Sequence, residues 1–220
     1  MKTKIRFVFP LLVLLLPSVV SAQYLWLKGG VNSSNMTVKD NQSTYSTDYL
    51  NRIGFNAGLT GGMRFGFIGF EGGLLLSSKG YNFDNTDING NKVAGNTSLL
   101  YLDVPVLLKL SAGLGSMRVY AATGPVLAFG LSGTNTTETT LSGQDPVQVE
   151  EKIKWGSSAD DDIKSSGVDY TVGAGIELSK LSLGVSYNWS LSNLAPTTDN
   201  GQEIKHSLWQ FTLGFKIFGD

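Results

Sequence analysis

The residues best equipped for chemistry are few. Nucleophilic catalysis by a serine needs a histidine base, and the chain holds one histidine, His206, and no cysteine. A Ser-His-Asp relay can be drawn with a loop serine and aspartate, but no spacing assigns them to it. His206 precedes the last alternating segment and reads as a rim or loop histidine. The count excludes a two-histidine metal site, and the absence of Cys excludes thiolate ligation and disulfides. Asn85-Thr86-Asp87-Ile88-Asn89-Gly90 opens like a calcium loop, but Asn96 stands where the bidentate Glu belongs, so it reads as a solvated turn. Asp160-Asp161-Asp162, with Glu150 and Glu151, makes one long polar stretch acidic. That stretch reads as a solvated loop, with weak divalent-ion binding as the alternative. No catalytic, cofactor or metal site is assigned.

A second set of charges carries more information. Lys28, Arg64, Glu71, Lys109, Arg118, Glu177 and Lys216 all stand in the polar phase of a two-residue alternation, as do Lys79, Asp103 and Asp169. Eight segments have this period, and no helical period competes with them. They are Leu25–Ser33, Ile53–Phe65, Phe67–Lys79, Leu99–Leu110, Met117–Leu131, Val168–Leu178, Leu181–Leu191 and Ser207–Phe218. The seventh is the clearest. Leu181, Leu183, Val185, Tyr187, Trp189 and Leu191 alternate with Ser182, Gly184, Ser186, Asn188 and Ser190. Pro105 and Pro125 interrupt the fourth and fifth. Each removes a ladder donor, so a bulge or a missing hydrogen bond is expected beside it.

The connections alternate in length. Gly66, Ser111–Ser116 and Ser179-Lys180 are short, whereas Ser34–Arg52, Gly80–Ser98, Ser132–Gly167 and Ser192–His206 are long and rich in Asn, Thr, Ser, Asp and Gly. Segments of about 9–11 residues or slightly more, in even number, with short turns on one side and long loops on the other, describe a transmembrane barrel. The expected fold is all-β: an eight-stranded antiparallel up-and-down transmembrane β-barrel. The ends agree with export. Lys2, Lys4 and Arg6 precede an apolar run, and Val20-Ser21-Ala22 is a cleavage signature, so residues 1–22 read as a signal peptide and residues 23–220 as the barrel domain. Without the three basic leader residues, 14 Lys+Arg face 18 Asp+Glu. That is not the balance of a nucleic-acid binder.

The apolar phase is placed against lipid. The opposite phase is mostly Gly, Ser, Asn and Thr with some charges, which suits a narrow filled interior. Aromatics stand near both ends of the apolar phase. Phe55, Phe129, Tyr170, Trp189 and Trp209 lie towards the outside, with Phe65 and Phe67 towards the periplasm, as interfacial girdles would. Arg64, Glu71, Lys109, Arg118, Glu177 and Lys216 then fall in the lumen near the periplasmic end, with Lys79, Asp103 and Asp169 nearer the outside. Charges confined there should pair, because an unpaired buried charge is costly.

Several stretches carry a resemblance to the PorT-like outer-membrane β-barrel family: Lys28-Gly-Gly-Val-Asn32, Tyr101-Leu-Asp-Val-Pro105, Thr123-Gly-Pro125 and Gly173-Ala-Gly-Ile-Glu177. The resemblance implies a porin-like small barrel of the bacterial outer membrane. Its partners would be membrane lipid, lipopolysaccharide and an envelope protein, with no cofactor. The leading reading is a non-enzymatic barrel with a charge-plugged lumen that presents its long loops. A narrow channel for ions or small solutes, and a barrel enzyme acting on lipid or peptide, are the alternatives.

Overall fold

Period-two patterning becomes strand throughout. The computed structural model describes residues 23–45, 49–86, 92–141 and 145–219, and the expected leader, residues 1–22, lies outside them. The strands are β1 (Tyr24–Lys39), β2 (Tyr49–Phe65), β3 (Ile68–Thr86), β4 (Lys92–Leu114), β5 (Met117–Thr140), β6 (Val147–Lys152), β7 (Ser166–Leu178), β8 (Leu181–Ser190) and β9 (Glu203–Gly219). Eight of them close a ring: β1 pairs with β2 and β9, and the neighbours continue β2–β3–β4–β5–β7–β8–β9, every pair antiparallel. Closure leaves the ring no edge, which a bilayer core requires of any sheet.

Three two-residue turns lie at one end, and each is tightened by a residue with positive φ: Gly66 (65°), Gly115 (62°) and Ser179 (55°). Hairpins of this length need that conformation, because it matches the twist of the flanking strands. The apolar phase faces out. Leu183 is 52% exposed while the adjacent Ser182 is 5% exposed, and Leu27, Val31, Phe211 and Phe215 repeat the outward pattern. On β7–β9 the outer end of this face carries a contiguous aromatic group. Tyr187 packs against Trp189 and Trp209, and Tyr170 against Trp189, with centroids 5.0–5.8 Å apart.

The strand ladders are interrupted at both prolines without a change of register. Pro105 still faces Val126, and pairing resumes at Leu108 and Thr123. The stretch Ser132–Gly167, expected to be mostly loop, is built differently. β5 runs on to Thr140, and β6 adds to it from Thr134↔Lys152 to Thr139↔Val147. These extensions of β3, β4 and β5 with β6 form a largely polar sheet beyond the lipid-facing band. Asn96 lies within β4, paired with Asn82 and Thr136 rather than closing an ion-binding loop. Asp87–Gly90 of that stretch lie outside the described residues.

Candidate functional site: two charge layers in the barrel lumen

The inward phase of each strand delivers its charges to two levels. Near the tight turns, Glu71 of β3 accepts from Lys28 of β1 at 2.5 Å and from Lys109 of β4 at 3.0 Å. Lys109 also reaches Glu177 of β7 at 2.6 Å, and Arg64 of β2 lies 3.5 Å from the same carboxylate. Antiparallel register explains the meeting. Arg64 faces Gly69 across the Gly66 turn, and Gly69 in turn faces Lys109. Of the residues expected here, Arg64, Glu71, Lys109 and Glu177 form one network with Lys28. Arg118 and Lys216 stand apart and make no ion pair among the described residues; the Lys216 ammonium lies 5.4 Å from the Trp26 ring centre.

Three aromatic side chains complete this inner layer. Tyr24 and Trp26 of β1 are buried, and the Lys109 ammonium lies 4.1 Å from the centre of the Tyr120 ring and 5.6 Å from that of Tyr24. Ammonium over an aromatic face is favourable, the more so without water. Two inward glycines make room for Tyr120. A Cβ on Gly175 or Gly184 would stand 2.6 or 2.5 Å from its hydroxyl oxygen.

Nearer the outside, Lys79 of β3 donates to Asp103 at 2.9 Å and to Asp169 at 3.1 Å. His206 is not a rim residue. It is 2% exposed, and its Nε2 lies 2.7 Å from Asp169 Oδ2. The reason is that β9 starts at Glu203, so the inward phase of Gln210 and Leu208 extends back through His206. Continuing the alternation two residues further would have found it. Ser190 donates to Asp169 Oδ1 at 3.1 Å and accepts from the backbone N–H of His206. Serine and histidine therefore both turn to the aspartate, and the imidazole is not placed to take the serine proton, as a relay requires. Among the described residues no group of His, Asp and Glu could hold a metal ion.

An apolar cap covers the outer layer. Met36, Leu99, Tyr101, Ala128, Ile163 and Leu194 are buried together, with Ile153 and Trp155 packed on them. The segment between β6 and β7 is pinned there by backbone bonds from Ile153 to Gly133, Gly130 to Ser165 and Lys164 to Leu194. Gly130 makes space for the Trp155 ring, since a Cβ there would lie 2.3 Å from it. Alternation could not reveal the cap, because its loop residues are single apolar side chains in polar surroundings.

Between the two layers lies a cavity of about 90 Å³, lined by Lys28, Glu71, Lys79, Asp103 and Asp169 at its ends and by Leu75, Leu107, Thr60 and Gln210 among others along its sides. The solved structures similar to this chain include Ail, the attachment invasion locus protein of Yersinia pestis, at 14% identity over 89% of this chain and 99% of that one, with TM-score 0.38. OprG from Pseudomonas aeruginosa is 12% identical over 90% and 97%, with TM-score 0.40. Neisserial surface protein A is 9% identical over 88% and 97%, with TM-score 0.37. No curated protein matches the chain in sequence. A family model described as outer membrane protein beta-barrel domain matches residues 24–195. The protein is thus a bacterial outer-membrane barrel, and the chain belongs to the outer membrane protein β-barrel domain family.

Proposed function

We propose that the protein is a closed, non-enzymatic barrel that holds a polar sheet and loops outside the membrane for an envelope or exterior partner. The observation that carries this reading is the stacking in the lumen. A network of five charged residues lies at the inner end, and a second, Lys79–Asp103–Asp169–His206, lies beneath the apolar cap. Eight strands leave an interior that side chains can fill, and these side chains bond to one another. The enzyme alternative loses support because the one histidine is buried in the lumen, away from any lipid or peptide at the surface. The Lys28–Asn32 and Tyr101–Pro105 stretches support a place near the PorT-like branch of the family.

The narrow-channel alternative draws on the cavity between the layers. Planar bilayer recording separates the two. The closed reading expects little or no current from the wild type, and large, steady, ion-selective steps would replace it with the channel.

A further inference from the structure

We propose that the periplasmic mouth of the barrel docks an acidic peptide segment of a periplasmic partner, held by Arg118, Lys180 and Lys216. This surface lies at the end opposite the outer sheet and loops, and it does not depend on whether the lumen conducts.

The charges at this end do not balance. Its described acids are Glu71 and Glu177, each 4% exposed, and both are engaged within the inner layer by Lys28, Lys109 and Arg64. Arg118, Lys180 and Lys216 make no ion pair among the described residues. Beside them, the Tyr24 hydroxyl and the Trp26 Nε1–H are buried and have no hydrogen-bond partner. Trp26 faces Lys216 in register, and the Lys216 ammonium lies 5.4 Å from its ring centre. The Arg64 guanidinium lies 5.4 Å from the centre of the Tyr24 ring. The unmet groups here are cations and donor-bearing side chains, and an anion rich in acceptors answers both.

The three cations stand along one arc of the wall. Arg118 of β5 is directly opposite Glu177 of β7, Lys180 lies in the β7–β8 turn, and Lys216 of β9 donates its backbone N–H to the Lys180 carbonyl at 2.8 Å. The strands β5, β7, β8 and β9 are successive neighbours in the ring. At a strand spacing of roughly 4.8 Å, the arc from Arg118 to Lys216 is about 14 Å, with Lys180 near its middle. Alternate side chains of an extended peptide repeat about every 7 Å along one face. Acids at three alternate positions of such a segment therefore match the three cations in spacing as well as in sign.

The direction of the charge selects a soluble segment over a lipid. Arg118 alternates with the exposed Met117 and Val119, and Lys216 with the exposed Phe215 and Ile217, so both cations take the inward phase. Phospholipid headgroups stand outside the wall that those apolar residues form, whereas a segment arriving from the periplasm meets the mouth directly. Arg118 and Lys216 are half-buried and Lys180 is exposed, so none is sealed from it. The outer end carries the opposite sign, with Glu150-Glu151 and Asp160-Asp161-Asp162 beyond the membrane, and turns an acidic segment away.

The test uses residues 23–220, with Asp220 in place, in phosphatidylcholine nanodiscs, so that any neutralisation by the chain's own end counts against binding. The probe is a fluorescein-labelled Glu-Ser-Glu-Ser-Glu peptide followed by fluorescence anisotropy, with Lys-Ser-Lys-Ser-Lys as its counterpart. The expected result is saturable binding of the acidic peptide below about 1 mM, with the lysine peptide at least about tenfold weaker. Raising salt from about 50 mM to about 500 mM should weaken the acidic peptide at least about tenfold. Arg118→Gln, Lys180→Gln and Lys216→Gln together should do the same at low salt, by at least about tenfold, in a barrel still folded by circular dichroism. Lys39→Gln with Lys205→Gln, at the outer end, should leave the affinity unchanged. Absence of saturable binding overturns the proposal, as does equal binding by the wild type and the triple variant, or a loss produced by the outer-end pair instead. Native mass spectrometry that finds phosphatidylglycerol retained by the wild type and not by the triple variant would assign the cations to headgroups and overturn it too.

Discussion

Glu71→Ala is the most searching single change. Glu71 is 4% exposed and accepts from two ammonium groups, Lys28 and Lys109. Removing one partner of a buried ion pair typically costs about 3–5 kcal/mol, because the remaining charge stays buried and unpaired. Two features place this case at the low end. Lys109 keeps Glu177 at 2.6 Å, and the Lys28 side chain is 14% exposed and borders the cavity. The expected loss is about 3 kcal/mol. Urea unfolding in phospholipid vesicles, followed by tryptophan fluorescence, measures it. With an unchanged slope of about 1–3 kcal/mol/M, the midpoint should fall by about 1–3 M.

A double mutant separates electrostatics from lost packing. If the penalty is an orphaned cation, Lys28→Met should recover about 1–2 kcal/mol in the Glu71→Ala background while destabilising the wild type. The variant should also admit small anions in planar bilayers, since three cations would then face Glu177 alone. A Glu71→Ala barrel within about 1 kcal/mol of the wild type would refute the reasoning, as would a cycle with no coupling between positions 28 and 71.

Other predictions concern the remaining surfaces. Val185 faces out and Ser186 lines the cavity, so Val185→Arg should cost about 2–4 kcal/mol near the bilayer midplane. Ser186→Arg should act by crowding instead, and a spin label in lipid contact at 186 but not at 185 would reverse the assignment. In the β1–β2 loop, Asp40 accepts from the backbone N–H groups of Gln42 and Ser43 and from the Tyr45 hydroxyl, which hold its carboxyl below the usual range. A depressed carboxylate contributes stability above its unfolded value and loses it as pH falls through the folded one. Carboxyl NMR should therefore find Asp40 titrating below free Asp, and the loop loosening only beneath that point. On intact cells, protease should nick the chain at the exposed Leu141 or Asp145 before it cuts at Ile153 or Ile163, which are held in the cap; cleavage only after the membrane is opened would invert the topology. N-terminal sequencing of the mature protein should begin at Gln23, and a start at Met1 would exclude processing there.

The barrel was legible because lipid and lumen impose opposite demands on alternate residues. The eight ring strands therefore repeat one rule, and the turns at Gly66 and Ser179 mark its reversals. Strand ends were less legible. Beyond the lipid the outward face no longer needs to be apolar, so Ser132–Thr140 keeps its pairing while losing its pattern. His206 falls in such a stretch, because β9 begins four residues before Ser207. The cap has no signature in the sequence, because Ile153, Trp155, Ile163 and Leu194 meet only after two separate loops fold over the mouth. The inner charges could be assigned to one end from phase and turn position. Which cation meets which carboxylate depends on register around the whole ring, which no single segment encodes.

Register also explains why the charges form two layers with a gap instead of one continuous plug. The inward phase of β4 reads Asp103, Pro105, Leu107, Lys109, with a charge at each end and two apolar positions between. On β3 it reads Glu71, Gly73, Leu75, Ser77, Lys79, again charged only at the ends. Six residues of strand span roughly 20 Å. A carboxylate or ammonium reaching from either end bonds first with groups at its own level, because those are the nearest donors and acceptors. Leu75, Pro105 and Leu107 have no side-chain polar group to extend into the space left over. The cavity is therefore placed by three inward positions, Leu75, Pro105 and Leu107, on two neighbouring strands. Leu107→Gln should shrink it by giving the apolar wall a side chain with reason to reach across, while leaving both charge layers intact.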